Sequence, residues 1–156
     1  MTLGQAIEPI VLVEDDPDDA FFVRRSLQAA RIRNQLLVFE SATQARGHFK
    51  SIATAAERPV LVIIDVHLPG GESGIDFLRW LRSQPSQVGA TPAMMLTASE
   101  RPEDREDSSL LGAMLYLRKP VTEETLTSAV QTLGFVIVTS RFSEKVGFRI
   151  IERRSL

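Results

Sequence analysis

The sequence predicts an α/β fold in which helices cover both faces of a parallel β-sheet. Residues 60–64 are apolar without interruption and rich in β-branched side chains, which is typical of a strand buried on both faces. Similar short apolar runs alternate along the chain with segments of helical periodicity, as in βαβ units with right-handed crossovers. A length of 156 residues is sufficient for one domain with a substantial hydrophobic core.

Two strand-and-helix units are predicted in the first third of the chain. The first strand is the apolar run at residues 10–13, and a helix begins near Pro17, where proline and acidic residues suit the first turn. The second strand is the apolar run at residues 36–39, after which Ser41 opens the capping-box pattern of a second helix. We interpret His48 on this second helix as a solvated surface residue.

Three further strands are predicted at residues 60–65, 93–96 and 114–117. A third helix is expected at residues 74–83, and residues 84–92 are expected to form a loop. The fourth helix must lie within residues 99–112, where apolar residues occur only at the end, so we expect it to dock weakly. Thr122 is the predicted N-cap of a fifth helix. The apolar face of that helix is predicted to consist of Leu126, Ala129, Val130, Leu133 and Ile137.

The C-terminal residues continue beyond the last of these units. Residues 135–138 are apolar on all sides, and apolar residues alternate with others over residues 146–150, which is the period of a strand. We therefore predict one domain over residues 8–140 and a C-terminal extension over residues 141–156. If a second copy buries the extension, the chain forms a homodimer through the fifth helix and a C-terminal arm. The alternative, in which the extension packs on its own domain, stays open.

The composition excludes several classes of function. A net charge of -2 gives no general attraction to nucleic acid or to acidic membranes. The chain has no cysteine, which excludes disulfides, thiolate catalysis and cysteine-based zinc sites. Residues 1–9 lack the features of a secretion signal, and no apolar run approaches the roughly 20 residues of a membrane span. We therefore expect a cytoplasmic protein that binds neither nucleic acid nor membranes.

Polar residues stand at the ends of four of the five predicted strands. Glu14 and Asp15 follow the first strand, Asp65 ends the third, Thr97 follows the fourth and Lys119 follows the fifth. In a sheet ordered 2-1-3-4-5 the first and third strands are neighbours, so the three carboxylates would converge in one crevice. Taken alone, Asp65 would be interpreted as an ordinary turn residue. The other strand ends favour a functional role instead.

These residue types suit the transfer of a phosphoryl group. Three crowded carboxylates repel one another unless a hard cation lies among them, and Mg²⁺ prefers oxygen ligands of this kind. The hydroxyl of Thr97 and the ammonium of Lys119 would then stabilise the negative charge of the transferred group. The pattern thus favours Asp65 as a nucleophile that forms an acyl phosphate. The alternatives are an ordinary strand-end Thr97 and a solvated Lys119.

Four motifs occur in an order that matches a known family. They are L-V-E-D-D-P, V-I-I-D-V-H-L-P, L-T-A-S and Y-L-R-K-P, and their spacing agrees with that family over roughly residues 8–140. On these motifs the chain resembles the receiver domain of chemotaxis-type response regulators. The V-E-D-D-P-D-D opening and the long P-G-G-E-S-G loop resemble most of all the stand-alone receivers that serve phytochrome-like sensor histidine kinases. The resemblance implies a doubly wound, flavodoxin-like fold with five parallel strands in the order 2-1-3-4-5.

The resemblance also implies which residues form the metal site. Asp65 is the phosphoacceptor, Asp15 binds Mg²⁺ directly, and Glu14 completes the acidic pair by acting through water. His67 offers its backbone carbonyl to the metal. The alternative, a pair shifted by one residue to include Asp16, is disfavoured by the family pattern, which leaves Asp16 as an acidic residue at the start of the helix.

The same resemblance assigns the contacts to the phosphoryl group. The side chains of Thr97 and Lys119 and the backbone amides of His67 and Ala98 contact the phosphoryl oxygens. Tyr116 matches an aromatic switch residue that changes rotamer together with Thr97, and its alternative is a half-buried core residue. The peptide bond between Lys119 and the following proline matches one that is usually cis.

These observations predict a two-component response regulator. A sensor histidine kinase, for which a bacteriophytochrome is one candidate, would phosphorylate Asp65 in a Mg²⁺-dependent reaction, and the protein would signal through protein contacts. Its own chemistry would be limited to its phosphorylation and dephosphorylation. The alternative is a phosphohydrolase of the haloacid-dehalogenase type, which needs a second Asp two residues after the nucleophile, where this chain has His67. One departure from the receiver pattern is Gly74, which lies one residue farther from Asp65 than is usual.

Overall fold

A five-stranded parallel sheet forms the centre of the fold. The computed structural model of the chain describes residues 7–98, 101–132, 136–143 and 146–153. The strands of the sheet are β1 (Ile10–Val13), β2 (Leu36–Phe39), β3 (Leu61–Asp65), β4 (Ala93–Thr97) and β5 (Leu115–Arg118). Their order is β2-β1-β3-β4-β5, which confirms the predicted fold class and topology. The three inner strands are buried along their whole length, whereas β2 and β5 are only half-buried because they form the edges.

Helices cover both faces of this sheet. They are α1 (Pro17–Ala29), α2 (Ala42–Lys50), α3 (Gly74–Arg82), α4 (Ser86–Gly89), α5 (Pro102–Leu110) and α6 (Glu123–Thr132). Buried apolar residues of α1 and α6 pack on one face, and those of α2 and α3 pack on the other. The prediction of a loop over residues 84–92 was wrong at its centre, where α4 forms a single helical turn. The predicted fourth and fifth helices are therefore α5 and α6.

The sequence signals for helix starts correspond to hydrogen bonds. The carboxylate of Asp16 accepts a hydrogen bond of 2.8 Å from the amide of Asp18, so Asp16 is the N-cap of α1. The hydroxyl of Ser41 caps α2, as predicted. At α3 a complete capping box is present, in which Ser73 and Asp76 each accept from the backbone amide of the other at 3.1 Å. These caps fix where α1 and α3 begin relative to the ends of β1 and β3.

The helix α5 lacks an apolar face, as the sequence predicted. Its one buried residue is Ser108, and Leu110 near its end is 80% exposed. Its C-terminal end is instead held by Arg82 of α3, whose guanidinium donates hydrogen bonds to the carbonyls of Leu111 at 2.7 Å and Gly112 at 3.3 Å. The helix therefore depends on a polar anchor at one end more than on buried surface.

Two side chains differ from their predicted surroundings. His48 is half-buried, and its ring lies 4.8 Å from the ring of Phe39, so its interpretation as a solvated residue was wrong. Burial lowers the pKa of His48. Ile137 belongs to a strand and not to the apolar face of the fifth helix, and Leu133 lies outside the described residues.

The C-terminal segment forms an antiparallel hairpin. Its strands are β6 (Val136–Ser143) and β7 (Val146–Arg153), so the alternating pattern of residues 146–150 is a strand, as predicted. Ile151 of β7 is buried in the core, and its amide donates to the side chain of Asn34 at 2.7 Å while its carbonyl accepts from the same side chain at 2.8 Å. The strand β6 continues through residue 140, and the domain boundary at that position stays a prediction. Within the described ranges, no helix combines the length and the hydropathy needed to cross a bilayer.

Candidate functional site

The sheet brings the predicted site residues to one edge. Glu14 follows β1, Asp65 ends β3, Thr97 ends β4 and Lys119 follows β5, and the parallel strands are aligned so that Val13 pairs with Ile64 and Asp65 pairs with Leu96. Glu14, Asp65 and Thr97 are buried, with relative exposures of 1%, 4% and 0%. Buried polar groups of this kind need compensating partners, and the partners lie in the same crevice.

Three carboxylates form an acidic cluster. Glu14, Asp15 and Asp65 each offer an oxygen, and these oxygens all lie within 4.8 Å of one another. Asp16 is directed instead to the start of α1, so the local geometry agrees with the pairing of Glu14 with Asp15. Burial raises the pKa of Glu14 to about 7, although hydrogen bonds from Lys119 and from the amide of Asp16 oppose that effect.

Lys119 links the cluster to a fourth carboxylate that the sequence analysis missed. Its ammonium lies 2.7 Å from Glu14 Oε2, 2.9 Å from Asp65 Oδ2 and 2.8 Å from Asp19 Oδ2. Burial acts to lower the pKa of Lys119, but the hydrogen bonds to Asp19, Glu14 and Asp65 outweigh it and raise that pKa. Lys119 is therefore a charged ammonium within the crevice, and the alternative of a solvated surface lysine is excluded.

Both oxygens of Asp65 are held by hydrogen bonds. The backbone amide of His67 donates to Oδ1 at 3.1 Å, and Lys119 donates to Oδ2 at 2.9 Å. His67 is an exposed residue, and it contacts Asp65 through its backbone amide. The orientation of the Asp65 carboxylate is thus fixed by hydrogen bonds from its own chain.

The loop after Asp65 returns closely against it. Gly70 and Gly71 have φ values of 89° and 80°, a left-handed conformation that glycine adopts without strain, and the chain turns back through them. Gly74 at the start of α3 then donates from its amide to the carbonyl of Val66 at 2.8 Å. A Cβ atom on Gly74 would lie 1.9 Å from the carbonyl oxygen of Asp65. The extra residue in this loop is therefore accommodated without moving Gly74 away from Asp65.

The remaining predicted residues lie at the ends of β4 and β5. Thr97 is fully buried, its carbonyl accepts from the amide of Lys119 at 2.8 Å, and Ala98 follows it at the exposed rim. Tyr116 is half-buried on β5, and the guanidinium of Arg105 lies 5.3 Å from the centre of its ring. The peptide bond between Lys119 and Pro120 is cis, as predicted.

Comparisons with known proteins identify the family. A family model for the response regulator receiver domain matches residues 10–131. The chain belongs to that family. Among solved structures, this receiver is 29% identical to the bacteriophytochrome response regulator RtBRR, with a TM-score of 0.75 and coverage of 90% of this chain and 84% of the other. It is 28% identical to the chemotaxis protein CheY4 of Vibrio cholerae, with a TM-score of 0.68 and coverage of 81% and 98%.

A curated relative extends the comparison. The receiver is 35% identical over 111 residues to the KDP operon transcriptional regulatory protein KdpE of Escherichia coli, which covers 71% of this chain and 44% of KdpE. The receiver thus spans less than half the length of that relative. Receiver domains are phosphorylated by histidine kinases and serve in two-component signal transduction. The predicted family is confirmed, and the alternative of a haloacid-dehalogenase-type phosphohydrolase gains no support from the matched family or from His67.

Proposed function

We propose that a sensor histidine kinase phosphorylates this receiver on Asp65 in a reaction that needs Mg²⁺. The observation that carries the proposal is the convergence on one carboxylate: an amide and an ammonium hold the two oxygens of Asp65, and Glu14 and Asp15 lie beside it. These acids fit Mg²⁺ because three carboxylate oxygens lie within 4.8 Å of one another, and a hard cation would relieve their repulsion.

Each residue has a defined part in the proposed transfer. A carboxylate oxygen of Asp65 attacks the phosphorus of a phosphohistidine, the P–N bond breaks, and an acyl phosphate forms on Asp65. Lys119, the hydroxyl of Thr97 and the amides of His67 and Ala98 are assigned to the phosphoryl oxygens. Asp15, Asp65 and the His67 carbonyl would hold Mg²⁺, with Glu14 acting through water. When bound, Mg²⁺ supplies positive charge that offsets the charge on the transferred group.

Phosphotransfer with a radiolabelled kinase tests this function. The receiver is expected to take up label from a phosphorylated sensor kinase in the presence of Mg²⁺ and to lose that uptake in excess chelator. The label is expected to be released by hydroxylamine, which cleaves acyl phosphates and leaves phosphoserine and phosphothreonine intact. Labelling that persists without divalent cations, or label that resists hydroxylamine, would contradict the proposal.

The affinity for Mg²⁺ is expected to rise with pH. Glu14 has a pKa of about 7, and its protonated form offers neither charge nor a free carboxylate to the site. We therefore expect affinity to increase about tenfold between roughly pH 6 and pH 8 and then to level off. Isothermal titration calorimetry measures this directly. Glu14→Gln is the matched control and should bind Mg²⁺ with little pH dependence over this range. If wild type and Glu14→Gln showed the same pH dependence of Mg²⁺ affinity, a group other than Glu14 would be responsible for it.

We propose further that α5 and β5 carry the change of state, with Thr97 and Tyr116 as the switch residues. The support is the small number of contacts that hold α5 in place: it has one buried residue, and Arg82 of α3 binds its C-terminal end. Amides of α5 are expected to exchange with deuterium at least about tenfold faster than those of β3, because little buried surface opposes local opening. A phosphoryl mimic is expected to slow hydrogen exchange in α5 and to leave the exchange rates of β3 unchanged. Equal protection of α5 and β3, unaffected by the mimic, would contradict this assignment.

A bacteriophytochrome is the kinase that we propose first. The support is the likeness to two proteins described as bacteriophytochrome response regulators, the second being AtBRR at 26% identity and a TM-score of 0.74, with coverage of 88% of this chain and 99% of that one. The phosphotransfer experiment above distinguishes kinases when a bacteriophytochrome and an unrelated sensor kinase are compared at equal concentration.

We also propose that the chain is a homodimer through α6 and the C-terminal hairpin. Asn34 offers a site that holds both backbone groups of Ile151, and the same strand of a second copy could occupy it. A chain truncated after Ser140 is expected to fall from dimeric to monomeric mass in light scattering. A monomeric full chain, or a truncated chain that keeps the dimeric mass, would contradict the proposed arm.

A further inference from the structure

Among the described residues, Asp19 is a carboxylate at Lys119 that lies apart from the acidic cluster. It is in the first turn of α1, and it accepts from the Lys119 ammonium at 2.8 Å, as closely as the two cluster residues Glu14 and Asp65 lie. The proposed chemistry assigns no role to Asp19. Its contact spans 100 residues of sequence and connects the start of α1 to the end of β5.

Carboxylates already surround the ammonium of Lys119 in this arrangement. An ammonium has three N–H donors, and three carboxylates lie within 2.9 Å of it. A phosphoryl group on Asp65 would bring additional acceptor oxygens to the same ammonium. Lys119 donates hydrogen bonds to Asp19 and Asp65 and forms an ion pair with Glu14, so a phosphoryl oxygen competes with these carboxylates for the same ammonium.

Asp19 is the partner that is released at lower cost. The side chain of Glu14 is fully buried, with 0% exposure, whereas that of Asp19 is 27% exposed. A carboxylate that can return to water loses less on giving up an ion pair than one that stays buried. The N-terminus of α1 also favours the negative charge of Asp19, so this residue remains a charged competitor after release.

We propose that Asp19 competes with the phosphoryl group on Asp65 for the Lys119 ammonium, and so weakens the phosphorylated state. This inference rests on the proposed function, because it requires a phosphoryl group on Asp65. Asp19 is thus a positioning residue that acts through Lys119, and phosphorylation of Asp65 would release it at the start of α1. Displacement of Asp19 offsets part of the free energy gained when the phosphoryl group contacts Lys119. The phosphorylated receiver is therefore less stable than it would be without Asp19.

Binding of beryllofluoride, a phosphoryl analogue, tests the competition. Its affinity for the full chain is measured by fluorine NMR at saturating Mg²⁺ in the wild type and in three variants. Asp19→Asn removes the competing charge from a position close to the analogue, and about tenfold tighter binding is expected from a unit charge at that range in a partly solvated site. Asp19→Glu keeps the charge and is expected to stay within about threefold of wild type.

The charge-matched control is Asp18→Asn. Asp18 lies beside Asp19 in the same helical turn, it is exposed, and the substitution removes the same charge from the surface. Its effect is expected to be about twofold or less, since exposed charges are strongly screened. If Asp18→Asn increased the affinity for beryllofluoride as much as Asp19→Asn, the effect would come from the general electrostatic field and not from competition for Lys119. That result would overturn the inference.

Two further outcomes separate this inference from the proposed function. Wild-type binding of beryllofluoride with no gain in Asp19→Asn would overturn the competition alone. A wild type that binds no beryllofluoride would overturn the proposed function, and the competition with it. The affinity for Mg²⁺ without beryllofluoride is measured for each variant, and a gain there in Asp19→Asn as large as the gain for the analogue would also overturn the inference, because the effect would then belong to the metal.

Discussion

Asp65→Asn is expected to lower phosphorylation of the receiver at least about a hundredfold, because an amide is a far weaker nucleophile than a carboxylate. The substitution keeps the size of the side chain and the oxygen that accepts from the amide of His67. The loss would therefore reflect chemistry and not collapse of the loop. The measurement is the initial rate of labelling from a phosphorylated kinase at saturating Mg²⁺, with thermal unfolding of both proteins as a check on folding.

Asp16→Asn is the matched control for this experiment. Asp16 is adjacent to the acidic cluster and carries the same charge, but it is exposed and caps α1. Asn caps helices about as well as Asp, so the stability is expected to change by less than about 0.5 kcal/mol. Labelling of this variant should stay close to that of wild type. If Asp65→Asn were labelled at the wild-type rate, Asp65 would not be the phosphorylated residue. If Asp16→Asn lost labelling, the acidic pair would be Asp15 and Asp16 and not Glu14 and Asp15.

The fold and the centre of the site follow from local patterns in the sequence. Apolar runs without alternation mark the inner strands, and a parallel sheet brings the ends of such strands to one edge. The positions of Glu14, Asp65, Thr97 and Lys119 could therefore be predicted from where each apolar run stops. Asp15 followed from the same run as Glu14, with the register of the acidic pair taken from the family resemblance.

Residues brought together by packing between helices could not be predicted in this way. Asp19 is one of several acids around Pro17, and its role depends on how α1 lies against the residues after β5, which no local pattern specifies. Asn34 is a similar case, because its contact with Ile151 joins positions 117 apart in the sequence. His48 was misjudged because its ring packs on Phe39 of the neighbouring edge strand. Each of these depends on tertiary geometry.

Gly74→Ala is expected to destabilise the receiver by ~3 kcal/mol or more, since overpacking against atoms that cannot rotate away is costly. The new Cβ would lie 1.9 Å from the carbonyl oxygen of Asp65, 2.8 Å from its carbonyl carbon and 2.8 Å from Cγ2 of Ile64. The two nearest of these atoms belong to the backbone. Either α3 must move away from β3 or the end of β3 must move together with Asp65, so labelling is expected to fall at least about tenfold as well.

Gly47→Ala is the control for Gly74→Ala, because it is expected to change the free energy of unfolding in the opposite direction. Gly47 lies in the interior of α2, is exposed, and has no atom within 4 Å of the position of an added Cβ. Alanine there is expected to stabilise the protein by about 0.5–1 kcal/mol, because glycine loses more backbone freedom in a helix. Urea unfolding of both variants measures the contrast. If Gly74→Ala were as stable as wild type and labelled normally, the close packing of α3 against Asp65 would not be a requirement of the site.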